Sequence, residues 1–385
     1  MKIVTAPDSY KGSIYAPEVA RAMRNGVLRA LPDAEVVLVP IADGGDGTLE
    51  ALVATSNGES RTAEVTGPMG EPVQASWGAL GDNRTAVIEM ARTSGLALVP
   101  TIKQNPLVAT TFGLGEMIKL VLESGYRSFI LGIGGSATND AGSGMAQALG
   151  IRLLDRKGSD LPFGGGALSE LSRIDMEGID PRICESEFSV ACDVNNPLTG
   201  PEGASAVYGP QKGATPAVVS QLDEALAHFA EIVRRDIGPN ISDIPGSGAA
   251  GGLGGGMIAF LGGNLRPGTD IVLESVNFEQ YLKDANLIIT GEGQLDFQTV
   301  YSKAPIGVAQ RAKEKGIPVI AVAGSLGEGF TNVHEHGISA AASIIPAPMS
   351  LETASEKAFD LIASATEQAI RMLHTGSYVF HSPGS

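Results

Sequence analysis

Hydrophobic and polar positions alternate along the first sixty residues as they do in a β-α-β-α unit. Short apolar runs at residues 3–6 and 35–41 predict two strands. Residues 17–31 and 48–55 carry apolar side chains at helical spacing, and a proline marks the first turn of the earlier helix. This alternation predicts a parallel sheet with right-handed crossovers.

The pattern changes between residues 61 and 90. Runs at 61–66, 72–79 and 85–90 are separated by turn-forming glycine-containing sequences, which predicts an antiparallel meander. Helix 109–124, strand 128–133, helix 144–149, strands 151–154 and 188–192 and helix 216–237 follow. From residue 286 the β-α alternation resumes and continues to a last helix at 352–373.

This order predicts an α/β protein with two α/β domains. A flavodoxin-like or Rossmann-like parallel-sheet domain is expected from both termini, residues 1–66 plus 276–385. An inserted mixed-sheet α/β domain is expected at residues 67–275. The length of 385 residues agrees with two domains.

Charge and composition exclude several classes of function. The formal net charge is −16 with only 27 Lys and Arg, so a surface for nucleic acid is not expected. The chain has no run of eighteen uncharged apolar residues and its first residues do not resemble a signal peptide, so we expect a cytoplasmic protein without membrane contact. The 50 glycines indicate many turns and close backbone approaches.

Polar residues follow six of the predicted strands, and five of these loops are acidic. Ligands of open α/β sheets lie beyond the carboxyl ends of strands, so we expect these residues to meet in one crevice. The candidate residues are Asp8, Ser9 and Lys11; Asp43 and Asp46; Gly134, Gly135, Ser136, Asn139 and Asp140; Asp193 and Asn195; and Glu292 and Asp296.

Crowded carboxylates require a compensating charge, and Mg²⁺ is a suitable partner because it prefers oxygen ligands and substrate phosphates. Lys11, Lys212 and Lys303 are candidates for neutralising phosphate. Metal, lysine, glycine-rich turns and a spare carboxylate are the components of phosphoryl transfer. No G-x-x-x-x-G-K-[ST] string occurs, so a P-loop enzyme is not predicted.

Two alternatives stay open at this point. Asp43, Asp46 and Asp140 could cap helices instead of binding a ligand. The turn Gly132-x-Gly134-x-x-Ala137 satisfies a dinucleotide-binding pattern, and Asp155 stands where an acid for the ribose would fall, so an NAD-dependent dehydrogenase is the alternative function.

Seven segments resemble the glycerate kinase family, ATP-dependent enzymes that act on D-glycerate. They are APDSYKGS (6–13), PIADGGDGT (40–48), GIGGSATNDAGSG (132–144), ACDVNNPL (191–198), GPQKGAT (209–215), GAAGGLG (248–254) and TGEGQLD (290–296). The resemblance implies phosphorylation of D-glycerate by ATP with Mg²⁺ in organic-acid, glyoxylate or glucarate catabolism. It implies 2-phosphoglycerate as product, with 3-phosphoglycerate left open, and two domains around a cleft.

These observations predict specific roles. Asp8, Lys11 and Asp193 are expected to be catalytic, and Asp193 and Asp296 to bind the metal; which carboxylate is the base stays open. The expected substrate or nucleotide contacts are Ser9, Asp43, Asp46, Gly134, Gly135, Ser136, Asn139, Asp140, Asn195, Lys212 and Glu292. The expected partners are D-glycerate and ATP, and a homodimer is one candidate assembly.

Overall fold

The computed structural model describes residues 1–300 and 303–380, and the chain divides into two compact units. Unit 1 comprises Met1–Asp43, Glu50–Ser56 and the described part of Val272–Ser385. Unit 2 comprises Gly44–Leu49 and Asn57–Ile271. Residues 57–66 therefore lie in unit 2, whereas the sequence placed the first boundary after residue 66; the reason is that their strand pairs with the next strand of the meander.

Fifteen strands are present in the described residues. They are β1 (Lys2–Thr5), β2 (Glu35–Leu38), β3 (Glu59–Thr66), β4 (Pro72–Ala79), β5 (Thr85–Glu89), β6 (Ser128–Gly132), β7 (Arg152–Leu154), β8 (Arg173–Asp175), β9 (Glu187–Ala191), β10 (Asn264–Arg266), β11 (Leu287–Thr290), β12 (Gln294–Leu295), β13 (Val319–Ala323), β14 (Ser325–Leu326) and β15 (Ala340–Ser343).

Thirteen α-helices accompany them in the same described residues. They are α1 (Ala16–Ala30), α2 (Thr48–Ser56), α3 (Ala91–Ser94), α4 (Phe112–Glu123), α5 (Ser143–Ala148), α6 (Ala204–Tyr208), α7 (Pro216–Asp236), α8 (Ala249–Leu261), α9 (Gly268–Ser275), α10 (Glu279–Leu282), α11 (Ala304–Glu314), α12 (Leu351–Glu356) and α13 (Ala358–Phe380). None of the helices in this part of the chain is both long and apolar enough to cross a bilayer.

Unit 1 contains a five-stranded parallel sheet in the order β2-β1-β11-β13-β15. Counted along the chain, this is the flavodoxin-like order 2-1-3-4-5, and it confirms the predicted fold class. From β1 the chain crosses over to β2 on one side, and the later strands β11, β13 and β15 follow one another on the other side of β1. The carboxyl ends of β1 and β11 therefore flank the topological switch point, where folds of this class bind ligands.

The helices of unit 1 are held by a small, tightly packed core. Ile3, Val19, Met23, Ile289 and Ile362 are fully buried in it. α1 and α13 approach closely at Gly26, where a Cβ atom would lie 2.3 Å from the carbonyl oxygen of Ala363. Any larger residue at this position would push the two helices apart.

Unit 2 is built on a mixed six-stranded sheet in the order β10-β9-β6-β5-β4-β3. The four strands from β10 to β5 run parallel, and β4 and β3 add the antiparallel meander that the sequence predicts. Phe129 and Phe188 stack across β6 and β9 with ring centroids 4.7 Å apart. The predicted strand at 151–154 is present as β7, which pairs with β8 in a separate antiparallel sheet.

Candidate active site

Asp8 and Glu292 follow β1 and β11, the two strands at the switch point of unit 1. The backbone N–H of Asp8 donates to the carbonyl of Gly291 at 2.8 Å, which ties the two loops together. Both side chains are almost fully buried. A Cβ on Gly291 would lie 1.8 Å from the carbonyl oxygen of Val322, so only glycine permits this turn. Close strand packing thus places two carboxylates at the switch point.

Two lysines balance the carboxylates of this crevice. The Nζ of Lys11 lies 3.0 Å from Oδ2 of Asp43, and the Nζ of Lys303 lies 3.1 Å from Oε2 of Glu292. The hydroxyl of Thr299 donates to the other oxygen of Glu292 at 2.8 Å. Lys11 keeps 56% of its side chain exposed, so its charge remains accessible to an anionic ligand. Sequence reasoning missed Thr299, which carries no signal beyond a loop hydroxyl.

Burial and like charge alter the acidity of the crevice. Burial and the neighbouring carboxylate of Asp43 raise the pKa of Asp8 well above its ordinary value, and Lys11 offsets part of this effect. Burial also raises the pKa of Glu292, while Lys303 and Thr299 act in the opposite direction. Asp8, Asp43 and Glu292 therefore lie close enough to interact, as the strand-end pattern predicts. The crevice thus brings three carboxyl groups and two lysines together.

Ser9 and Asp296 lie in the same loops with partly structural contacts. The hydroxyl of Ser9 accepts the N–H of Ala16 at the start of α1. Oδ1 of Asp296 accepts the N–H of Gln298 at 2.8 Å. Both residues also line the cavity described next. The role of Asp296 as a metal ligand stays a prediction.

A cavity of about 580 Å³ opens beside these residues, entirely within unit 1. Lys11, Glu292, Asp296 and Lys303 contribute its charged lining. Its uncharged lining residues come from the loops after β1 and β11, from the segments after β13 and β15, and from α12 and the start of α13. The volume is that of a small-molecule site.

Unit 2 carries a second set of strand-end residues, and here the lysine is buried. Lys212 is 1% exposed; its Nζ donates to the hydroxyl of Ser136 at 2.7 Å and to the carbonyl of Thr138 at 2.6 Å. Burial lowers the pKa of Lys212 to about 7, although Asp140 acts to raise it. The side chain is enclosed and bound to the loop, so this geometry favours a structural role, and the neutralisation of phosphate by Lys212 stays a prediction.

Asp140 is a structural cap in this loop. Its carboxylate accepts N–H groups of Thr111 at 2.9 Å, Gly142 at 3.2 Å and Gly144 at 3.3 Å, and the hydroxyl of Thr111 at 2.9 Å. The residue is fully buried. This geometry favours the capping alternative over ligand contact. Asn139, its neighbour, donates to the hydroxyl of Ser205 at 3.0 Å and is likewise enclosed.

The remaining predicted residues of unit 2 are exposed. Oδ1 of Asp193 accepts the N–H of Gly268 at 3.0 Å at the start of α9. Asn195, Gly134 and Gly135 lie in exposed loop positions, and Asp46 is exposed as well. Asp193 follows the largely buried strand β9 as expected and its side chain is exposed; its catalytic and metal-binding roles stay predictions.

Glu89 at the end of β5 is a buried carboxylate that the sequence reasoning missed. It is 4% exposed, pairs with Arg92, and accepts the N–H of Leu49 at 3.0 Å. Glu89, not Asp46, therefore accepts this donor at the start of α2. A signal was present in the sequence, because Glu89 is an acidic residue near the end of the apolar run predicted at 85–90.

The dinucleotide-binding alternative finds no support in the geometry. The turn after Gly132 leads into an irregular loop, and the helix that follows, α5, begins only at Ser143 and has six residues. A Rossmann site needs the helix N-terminus directly at the glycine turn. The carboxylate of Asp155 is engaged by the N–H groups of Lys157 and Ser159 within a tight turn. Asp155 is thus a turn former.

The residues of the unit 1 crevice fit a hard divalent cation bound together with phosphate. No group of three or more His, Cys, Asp or Glu side chains within residues 1–300 and 303–380 is arranged to hold a metal by itself. Mg²⁺ commonly takes only one or two carboxylates and completes its shell with water and phosphate oxygens. Burial is the main cause of the raised pKa of Asp8 and the carboxylate of Asp43 adds to it, so a bound cation would favour the charged form of Asp8.

Comparison with known proteins agrees with these features. The model of the glycerate kinase family matches residues 3–374. The chain is 53% identical to the glycerate kinase of Halalkalibacterium halodurans, over 94% of this chain and 96% of that protein. It is 50% identical to the glycerate 2-kinase of Escherichia coli, over 98% and 99%.

A solved structure extends the likeness to three dimensions. The crystal structure of a protein provisionally named glycerate kinase 2, from Salmonella typhimurium LT2, superposes with a TM-score of 0.91 at 47% identity. The match covers 98% of this chain and 99% of that one. The strand-end carboxylates, the accessible lysine and the matching family thus agree: the chain belongs to the glycerate kinase family, whose members are phosphotransferases that act on an alcohol group.

Proposed function

We propose that this protein transfers the γ-phosphoryl group of ATP to the 2-hydroxyl of D-glycerate and forms 2-phosphoglycerate, with Mg²⁺ required. The glycerate 2-kinase of Escherichia coli, at 50% identity over nearly the full length, supports this regiochemistry. The observation that carries the proposal is the crevice of Asp8, Lys11, Asp43, Glu292 and Lys303 at the switch point of unit 1.

The transfer needs a proton acceptor and stabilisation of charge. The glycerate hydroxyl oxygen forms a bond to the γ-phosphorus while the bond from that phosphorus to the β-γ bridging oxygen breaks, and ADP leaves. The hydroxyl proton passes to a carboxylate, and a raised pKa makes Asp8 a suitable acceptor. Asp193 is the other leading carboxylate, and the roles of base and metal ligand stay unassigned between the two.

Lys11 would supply positive charge that offsets the negative charge of the phosphate oxygens. Its Nζ is held near the crevice by Asp43, yet more than half of its side chain is exposed. A lysine that is paired but accessible can exchange its carboxylate partner for a phosphate oxygen. Asp43 and Glu292 thus orient the two lysines, and Gly134, Gly135 and Ser136 stay predicted donors to an anion.

Mg²⁺ would supply charge neutralisation to the phosphates. Asp193 and Asp296 stay the predicted metal ligands, and the roles of base and ligand stay open between Asp8 and Asp193. Removal of divalent cations with a chelator is expected to abolish turnover, and Mg²⁺ is expected to restore it. The cytoplasmic location, the homodimer and the catabolic pathway remain predictions from the sequence.

The decisive experiment is ³¹P NMR of the product formed from D-glycerate, ATP and Mg²⁺. We expect ADP and the resonance of 2-phosphoglycerate. A resonance of 3-phosphoglycerate would keep the kinase and overturn the regiochemistry. If the protein is folded and the ATP is intact but no phosphomonoester of glycerate forms, the proposed function is overturned.

A further inference from the structure

We propose that the cavity of unit 1 binds the purine nucleoside of ATP against an apolar wall formed by Ile345, Met349, Leu351 and Ala354, with the phosphates directed toward Lys11 and Lys303. This assignment rests on the proposed kinase function and adds the location of its nucleotide. The lining residues of the cavity, its volume and the hydrogen bonds that hold its apolar wall support this assignment.

The lining of the cavity changes character across the sheet. The strands run in the order β1, β11, β13, β15, and their carboxyl ends contribute to it in turn. The loops after β1 and β11 contribute Lys11 and Glu292, and Lys303 adds a second cation. The segment after β15 contributes Ile344 and Ile345. One ligand that fills the cavity must therefore be charged at one end and apolar at the other.

A nucleoside triphosphate has this division and glycerate does not. Every carbon of glycerate carries an oxygen substituent, so an apolar wall adds nothing to its binding. A purine ring, in contrast, presents two flat apolar faces, and its polyphosphate requires cations. The volume of about 580 Å³ is also far larger than a three-carbon acid needs, while sites of roughly 300–1,000 Å³ hold ligands of nucleotide size.

Hydrogen bonds hold the apolar wall in place, although its most exposed residue contributes little to the packing of the core. The hydroxyl of Ser350 accepts the N–H of Thr353 at 3.2 Å and caps α12. The hydroxyl of Ser13 donates to the carbonyl of Ser355 at 3.2 Å, which fastens α12 to the loop that carries Lys11. Leu351 is 84% exposed, so its side chain contributes little to core packing. Together with Ile344, Ile345, Met349 and Ala354 it forms a continuous apolar lining at this end of the cavity, which a flat apolar group of a ligand can cover.

Filling the cavity tests this assignment. Ala354→Leu adds three carbon atoms to the apolar wall, and Ala217→Leu makes the same change at an exposed helical alanine of α7 as a matched control. We expect Ala354→Leu to raise the KM for ATP and the Kd for radiolabelled ATP by about tenfold or more, while the KM for D-glycerate stays within about twofold. The control should change neither constant.

Leu351→Asp is a second variant, in which a change in the Kd for ATP cannot be attributed to a loss of folding. Its side chain is already in solvent, so the thermal midpoint should not change, while a carboxylate beside the purine should raise the Kd for ATP by about fivefold or more. Adenosine, which lacks phosphates, should inhibit the unaltered protein competitively with ATP. It should inhibit Ala354→Leu far more weakly.

The outcomes separate this inference from the proposed function. If the unaltered protein phosphorylates glycerate but both variants bind ATP normally, the nucleotide assignment fails and the kinase stands. A rise in the KM for D-glycerate with no change for ATP would show that the cavity binds the acceptor and would overturn the assignment. ATP binding that depends on Ala354 without any glycerate phosphorylation would support the assignment and overturn the acceptor.

Discussion

The two units contain lysines beside glycine-rich strand ends, and they place them in opposite environments. In unit 1, Lys11 and Lys303 pair with carboxylates at 3.0 and 3.1 Å and keep part of their side chains in solvent. In unit 2, Lys212 is fully enclosed and binds two neutral oxygens of the loop after β6.

Different tasks follow from the two environments. A partly solvated lysine paired with a carboxylate stays charged and can turn to a phosphate oxygen. An enclosed lysine loses hydration, its pKa falls to about 7, and its N–H donors hold the backbone in place. Sequence type alone is thus a poor guide to whether a lysine binds ligand or supports a loop.

The two largest expected effects come from the leading carboxylates, and the first of these is the buried Asp8 of unit 1. Asp8→Asn keeps the size of the side chain and removes its ability to accept a proton or bind a cation. We expect kcat to fall by about 10³-fold. The thermal midpoint at neutral pH should not fall, since burial raises the pKa of Asp8 and its charge is unfavourable to the fold. Turnover within a few fold of the unaltered protein would remove Asp8 from the chemistry.

The matching change in unit 2 is Asp193→Asn. We expect turnover to be abolished while the protein stays folded, because positioned charge at a phosphoryl-transfer site is worth orders of magnitude in rate. Circular dichroism and a thermal melt check the fold. A variant with near-normal rate would remove Asp193 from the chemistry and leave it a structural role, which includes accepting the N–H of Gly268.

Loss of the accessible cation should have a smaller effect. Lys11→Ala is expected to lower kcat/KM by about 10- to 100-fold, since one charge-assisted contact to phosphate or carboxylate is lost. Lys315→Ala, at an exposed position after α11, is the matched control and should leave the kinetics unchanged. Kinetics of Lys11→Ala equal to those of the control would make Lys11 an ordinary surface lysine.

The buried lysine should affect stability more than chemistry. Lys212→Met leaves the carbonyl of Thr138 without its donor, and we expect a loss of about 1–3 kcal/mol in the free energy of unfolding. Denaturant titration measures this loss. An unchanged stability together with a large rise in the KM for an anionic substrate would return Lys212 to the ligand-binding residues.

The loss in the free energy of unfolding caused by Lys212→Met should depend on pH. Below about pH 7 the lysine is charged in both states, so burial of the charge opposes folding in full. Between about 7 and the ordinary value of 10.5, the unfolded chain holds a proton that the folded chain has released, so the contribution of Lys212 to stability rises with pH. The stability gap between the unaltered protein and Lys212→Met should therefore widen from about pH 6 to about pH 9. A constant gap would contradict the lowered pKa.

Much of the fold follows from local patterns. The β-α alternation at both termini predicts the parallel sheet of unit 1, and glycine-containing turns predict the meander β3-β4-β5. The strand predicted at 151–154 is confirmed as β7, but its pairing with β8 was not predicted, because three residues carry no information about their partner strand. Pairing partners distant in sequence are chosen by packing.

The sequence is sufficient to predict which residue types stand at the strand ends, because strands and the glycine-rich loops after them can be recognised from the local pattern of apolar and polar residues. It therefore predicted Asp8, Lys11 and Glu292 correctly as neighbours of one crevice. Only the tertiary structure decided which groups are desolvated. Asp140 became a cap, Lys212 a loop support and Glu89 a buried acceptor because burial and hydrogen-bond partners depend on segments far apart in the chain.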